Sequence, residues 1–183
     1  MTKSTTAEGT DTAGQAVRQF SIKRVFNAPR SDVFKAWTEP FRVMRWRGPR
    51  AFTVSFCKID LRPGGLCHYC IRSPEGKDQW GKDVYREVVR PERLVYEDSY
   101  SDEKGGVVPP ARYGMPAEWP EKTLVTVTFE DLNGKTSMLL NCGVSEELAK
   151  QQKADQGWNE SLDRLAAYVE EDAVKDGRRP GNR

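Results

Sequence analysis

Apolar and polar residues partly alternate in FSIKRVFNA, residues 20–28, the pattern of a strand with one buried face. Pro29 then suits the first turn of a helix. In RSDVFKAWTEPFRVMRWRG, Val33, Phe34 and Trp37 make an apolar face that Pro40 interrupts, so two short helices are predicted, at 29–38 and 39–46. Gly48 and Pro49 end the pair. Strands follow. AFTVSFCKIDL holds Phe52, Val54 and Phe56 in one phase and Cys57, Ile59 and Leu61 in the other, which predicts a bulge near Phe56. Pro63, Gly64 and Gly65 mark a turn. Further strands are read in CHYCIRS (67–73), DQWGKDVYREVV (78–89), RLVYEDSY (93–100), KTLVTVTFED (122–131) and KTSMLLNC (135–142). Asn133 and Gly134 between the last two are the favoured hairpin dipeptide.

The last element is a helix with Ser145 as N-cap and Glu146 and Glu147 set against its dipole, running to about Glu171. Trp158, Leu162, Leu165 and Val169 form its apolar stripe, which weakens upstream to Leu148, Gln151 and Ala154. The segment 101–122 carries four prolines and three glycines and reads as a long loop without regular structure. Its Tyr113, Met115 and Trp119 favour docking on the domain over disorder. A strand, two short helices, a six-stranded meander and a long helix make an α+β architecture. A straight helix over a curved sheet does not fit flush, so a cavity between them is expected.

Composition sets the limits of this domain. The chain has 183 residues, enough for one domain. Residues 1–17 and 172–183 offer almost nothing to bury, so both are expected to be disordered tails around a domain at 18–171. The second tail sets Lys175, Arg178, Arg179 and Arg183 against Asp172 and Asp176, which accounts for the whole net charge of +2. A near-neutral body argues against a nucleic-acid partner. No apolar run is long enough for a membrane span, and the N-terminus lacks a signal-peptide core. A soluble, cytoplasmic protein is expected, and Cys57, Cys67, Cys70 and Cys142 fit a reducing compartment.

Few motifs carry chemistry. Cys67-His68-Tyr69-Cys70 has the spacing of a metal or redox site, but positions three apart on a strand face opposite ways, so the thiols should diverge. No metal and no cofactor are expected. His68, the single histidine, should face away from Cys67 and Ile71, toward solvent. Glu87 and Asp98 lie in the meander; one turned inward would have a raised pKa and serve as a general acid, although acids in antiparallel sheets mostly face water. Ala154, Gly157 and Ser161 form a ridge of small residues beside Trp158. Either another backbone packs on that ridge or it leaves volume at a cavity wall.

The strings NAPRSDVFKAWTEPFRVMRWRGP, LRPGG, WGKDVYREVVRPERLVYEDSY and GWNESLDRL together resemble the SRPBCC superfamily of START-like proteins, in the branch homologous to the activator of heat-shock-protein-90 ATPase. The resemblance covers nearly all of 18–171. It implies the helix-grip fold, a curved antiparallel sheet of about seven strands around a long C-terminal helix, enclosing a deep and mostly apolar pocket. It implies no shared catalytic set. It also implies work of the kind such proteins do: binding lipids, hormones or aromatic polyketides, cyclisation, or co-chaperone action in the stress response. Where relatives often carry a second tryptophan after Trp46, this chain has Arg47, which would put a cation at the pocket rim.

The leading expectation is a non-catalytic protein enclosing a small apolar or aromatic molecule. Its cavity would be lined by Trp37, Trp46, Tyr69, Trp80, Tyr85, Tyr96, Trp119, Ala154, Gly157, Trp158, Ser161 and Leu162, with Tyr100 in the same aromatic set. The alternatives are an enzyme of the cyclase, hydrolase or detoxification type acting on such a ligand, and an interaction module with a chaperone partner. Monomer and homodimer both stay open.

Overall fold

Pro29 sets the first boundary of the fold. Ahead of it β1 (Gln19–Phe26) buries Phe20, Ile22 and Phe26 on one face, with the partly buried Arg24 in the same phase. Behind it come α1 (Arg30–Thr38) and α2 (Pro40–Trp46), parted by the extended Glu39, with Pro40 opening the second helix. The structure, a computed structural model, describes residues 18–175.

The meander is β2 (Thr53–Ile59), β3 (Leu66–Arg72), β4 (Asp78–Val89), β5 (Arg93–Ser101), β6 (Thr123–Leu132) and β7 (Lys135–Ser145). With β1 it forms one antiparallel seven-stranded sheet in the order β1-β7-β6-β5-β4-β3-β2. The register of β2 on β3 shifts between Val54 and Phe56, where the apolar phase changes. Asn133 and Gly134 both take left-handed backbone in the β6–β7 turn (φ 52° and 83°).

The C-terminal helix differs from the sequence expectation. Ser145 does cap it, its hydroxyl accepting from the Leu148 amide. The helix stops after one and a half turns, giving α3 (Glu146–Gln151), and restarts as α4 (Ala154–Lys175). Lys153 takes a left-handed conformation (φ 56°) at the break. The weak upstream stripe is the reason: α3 buries Ala149 toward β1 and β7, whereas α4 packs across α1, α2 and β1. One straight helix cannot serve both faces. At its other end α4 passes the expected limit at Glu171: Asp172 binds Arg42 at 2.5 Å and Ala173 is buried. The expected tail at 1–17 and residues 176–183 of the one expected at 172–183 lie outside the described residues.

The core lies where α4 and α1 meet the inner face of the sheet. Leu162, Leu165 and Val169 of the α4 stripe are buried there, while Trp158 is only half-buried. Trp37 stands at the centre, 4.7 Å from the Trp46 ring, 6.0 Å from Phe129 and stacked 6.1 Å from Trp158. The long β5–β6 loop is not structureless. It pairs Val107 with Ser101 and forms a 3₁₀ turn at Pro110–Tyr113. The Tyr113 hydroxyl accepts from the Trp80 amide and donates to the Ser101 carbonyl, which pins the loop to β4 and β5.

Candidate functional site

The ordered loop, the α3–α4 break and the α2–β2 connection converge on one cavity of about 310 Å³ between the sheet and α4. Met115 and Trp119 come from the loop, Gly48, Pro49 and Phe52 from the connection, and Gln152 and Lys153 from the break. Ala154, Gly157, Trp158 and Ser161 form the α4 wall. A β-carbon on Gly157 would meet only the Pro49 side chain, at an ordinary 3.7 Å. The ridge of small residues therefore borders open volume rather than a packed backbone.

The cavity floor is polar, which departs from the mostly apolar pocket that the resemblance implies. Arg47 and Asp83 are both buried and form a two-pronged ion pair, at 2.7 and 3.1 Å. Arg47 is thus buried in the floor of the cavity rather than at its rim, with Asp83 beneath it. Burial works against its charge, but the Asp83 carboxylate outweighs that and holds the guanidinium well above its usual range. The same guanidinium lies 3.7 Å over the Tyr69 ring. Tyr69 donates to Asp98 at 3.2 Å. Burial first, and the neighbouring Asp83 next, push the Asp98 carboxyl up to about 8. Asp98 is thus the inward acid of the two considered; Glu87 faces water and binds Arg93.

Seven of the expected lining residues border the cavity: Tyr69, Trp80, Trp119, Ala154, Gly157, Trp158 and Ser161. For Trp80 the contact is marginal, because its ring packs on the outer sheet face, 5.4 Å from Phe56 and 5.0 Å from His68. Trp37, Trp46, Tyr85, Tyr96 and Leu162 do not border it. They are buried in the core, where α1, α2 and α4 close directly on the sheet. His68 does point away from Cys67 and Ile71, but not into solvent. The loop at 102–105 folds over that face, and His68 Nε2 lies 3.2 Å from the Asp102 carbonyl oxygen.

The cysteines behave as strand alternation requires. Cys67 faces the core beside Cys57, and Cys70 faces the other way beside Ser55 and Asp78. All four are free thiols. Among the described residues no group of three or more His, Cys, Asp and Glu is placed to hold a metal ion.

Sequence reading missed Arg47–Asp83 as a pair, Gly81, and Arg164. Arg164 donates to the carbonyls of Arg45, Gly48, Pro49 and Phe52 and so ties the α2–β2 connection to α4. A signal for the acids was present: Asp83 is in phase with Gly81 and Tyr85, and Asp98 with Tyr96 and Tyr100.

Comparison with known proteins agrees with this architecture. A protein from Arthrobacter aurescens superposes with a TM-score of 0.72 at 25% identity, covering 85% of this chain and 87% of that one. One from Nitrosomonas europaea gives 0.70 at 18% identity, covering 87% and 99%. An AHSA1-like protein from Aeromonas hydrophila gives 0.61 at 18% identity, covering 90% and 99%. No curated protein matches the chain. The sequence profile described as activator of Hsp90 ATPase homolog 1-like protein matches residues 27–170, the span that holds the sheet from the end of β1, both short helices and the cavity. With its seven-stranded sheet gripping a long C-terminal helix, the chain belongs to that family, within the SRPBCC superfamily.

Proposed function

We propose that this protein binds a small apolar or aromatic molecule in the cavity between the sheet and α4. One observation carries the reading: a space of about 310 Å³ walled by Phe52, Ile71, Met115, Trp119 and Trp158 over the polar floor of Arg47, Tyr69 and Asp98. The family likeness fits both ligand binding and co-chaperone work. The cavity favours the first, and the most exposed large apolar residues, Val25, Phe41, Leu124 and Val174, come from four different elements. Free cysteines suit work in the reducing cytoplasm. A second reading, an enzyme acting on the bound molecule, draws on Asp98, an inward carboxyl that keeps its proton near neutral pH.

Native mass spectrometry of freshly purified protein is expected to find a co-purified small molecule. An apolar fluorescent probe is expected to bind the folded protein at micromolar affinity or weaker and to change Trp158 emission. Absence of both signals would overturn the binding reading. Turnover of the released molecule, lost in Asp98→Asn, would select the enzymatic one.

A further inference from the structure

The register of β4 on β5 sets Asp83 directly opposite Asp98. Directly opposite side chains share one face of the sheet, about 5 Å apart at their β-carbons. Two carboxyls thus meet one guanidinium, and both prongs of Arg47 are spent on Asp83. Asp83 is shut off beneath the floor, whereas Asp98 borders the cavity. The cluster is one positive charge short, and the open side of that deficit is the ligand site.

We propose that Asp98 receives the ammonium group of an arylalkyl amine whose ring lies among Tyr69, Trp119 and Trp158. This rests on the cavity being a ligand site. An ammonium supplies the missing charge and brings N–H donors to an oxygen that Tyr69 alone now serves. The aromatic walls add cation–π attraction in a partly desolvated site. In the empty cavity a proton fills the same role: Asp98 is held up to about 8, and its acid hydrogen bonds toward Asp83. Amine and proton therefore compete for one place. The other groups facing Asp98 do not fill it. Tyr69, Tyr96, Tyr100 and Cys142 are kept neutral by burial, and Lys153 sits exposed at the mouth. A carboxylate ligand would bring a third negative charge to the cluster.

The test uses the full chain and three probes of one shape, naphthylmethylamine, naphthylmethanol and naphthoate, by calorimetry. The amine is expected to bind about tenfold or more tighter than the alcohol, and naphthoate weakest. Amine affinity should fall roughly 50-fold from about pH 8 to about pH 6, with about one proton released per amine bound at about pH 6 and about half a proton at about pH 8, while the alcohol shows no such trend. Asp98→Asn, checked for fold by circular dichroism, should abolish the amine's advantage and spare alcohol binding. Alcohol or naphthoate binding as tightly as the amine would overturn the proposal and leave the cavity as a ligand site. So would an amine advantage that survives Asp98→Asn. Failure of all three probes to bind would overturn the ligand site itself.

Discussion

Gly81 on β4 lies directly beneath the phenol of Tyr69 on β3, its cross-strand partner. A β-carbon there would collide with the Cζ and hydroxyl of Tyr69, and Cε2 would be only 2.7 Å away. The missing side chain lets the phenol lie across the strand, where its face meets Arg47 and its hydroxyl reaches Asp98. Gly81→Ala is expected to cost about 1–3 kcal/mol, as an overpacked site does, and to weaken probe binding. Urea unfolding together with probe titration checks both. Unchanged stability would show that the ring moves aside freely.

Gly157→Ala should act in the opposite direction. The added methyl meets only Pro49 at an ordinary distance, and helix propensity improves. A gain of up to about 1 kcal/mol is expected, with weaker probe binding because the wall loses volume. A loss of stability would refute the open-wall description.

Arg164 holds the α2–β2 connection through carbonyls, with no carboxylate partner among the described residues, and burial lowers its pKa. Arg164→Ala should destabilise by roughly 2–3 kcal/mol, in the range of charge-assisted hydrogen bonds to backbone. Lysine, a point donor without the planar fork, should recover only part of this. Full recovery by Arg164→Lys would mean that charge at the α2 C-terminus, not the fork, is what matters.

The raised Asp98 pKa fixes the sign of a pH dependence. Its folded value, about 8, lies above that of an unfolded aspartate, so the native state holds the extra proton between the two values. The stability this confers is complete below the unfolded pKa, near 4, and is lost as pH rises toward about 8. The slope is at most about 1.4 kcal/mol per pH unit, and Asp98→Asn should flatten it. Chemical unfolding at several pH values measures both slopes; equal slopes would contradict the assignment to Asp98.

Truncation locates the end of the fold. A chain ending at Lys175 should keep its thermal midpoint within a few degrees. One ending at Glu171 loses the Asp172–Arg42 contact and buried Ala173, and should be less stable by about 1 kcal/mol. Equal midpoints would show that the last helical turn contributes nothing.

Local chemistry by itself determined many element boundaries, though not the break between α3 and α4 or the end of α4. β4 spans the residues of its alternating run, Pro29 and Pro40 begin the short helices, and the phase change at Phe56 marks the bulge. These features depend on neighbours a few positions away, so the sequence displays them. Alternation also gave each strand residue its face, which is why Cys67 and Cys70 diverge as expected. What covers a face is not local. His68 is buried by the Phe56 and Trp80 rings and by a loop more than thirty residues later that folds over it, through the contact with Asp102. The same limit applies to the aromatic set: Trp37, Trp46, Tyr85 and Tyr96 became core and Trp119 and Trp158 cavity wall according to where α1, α2 and α4 close on the sheet. The Arg47–Asp83 pair, 36 residues apart, and the opposition of Asp83 and Asp98 arise from strand register and helix docking. Those are set by the sum of long-range contacts, and no single stretch of the chain encodes them.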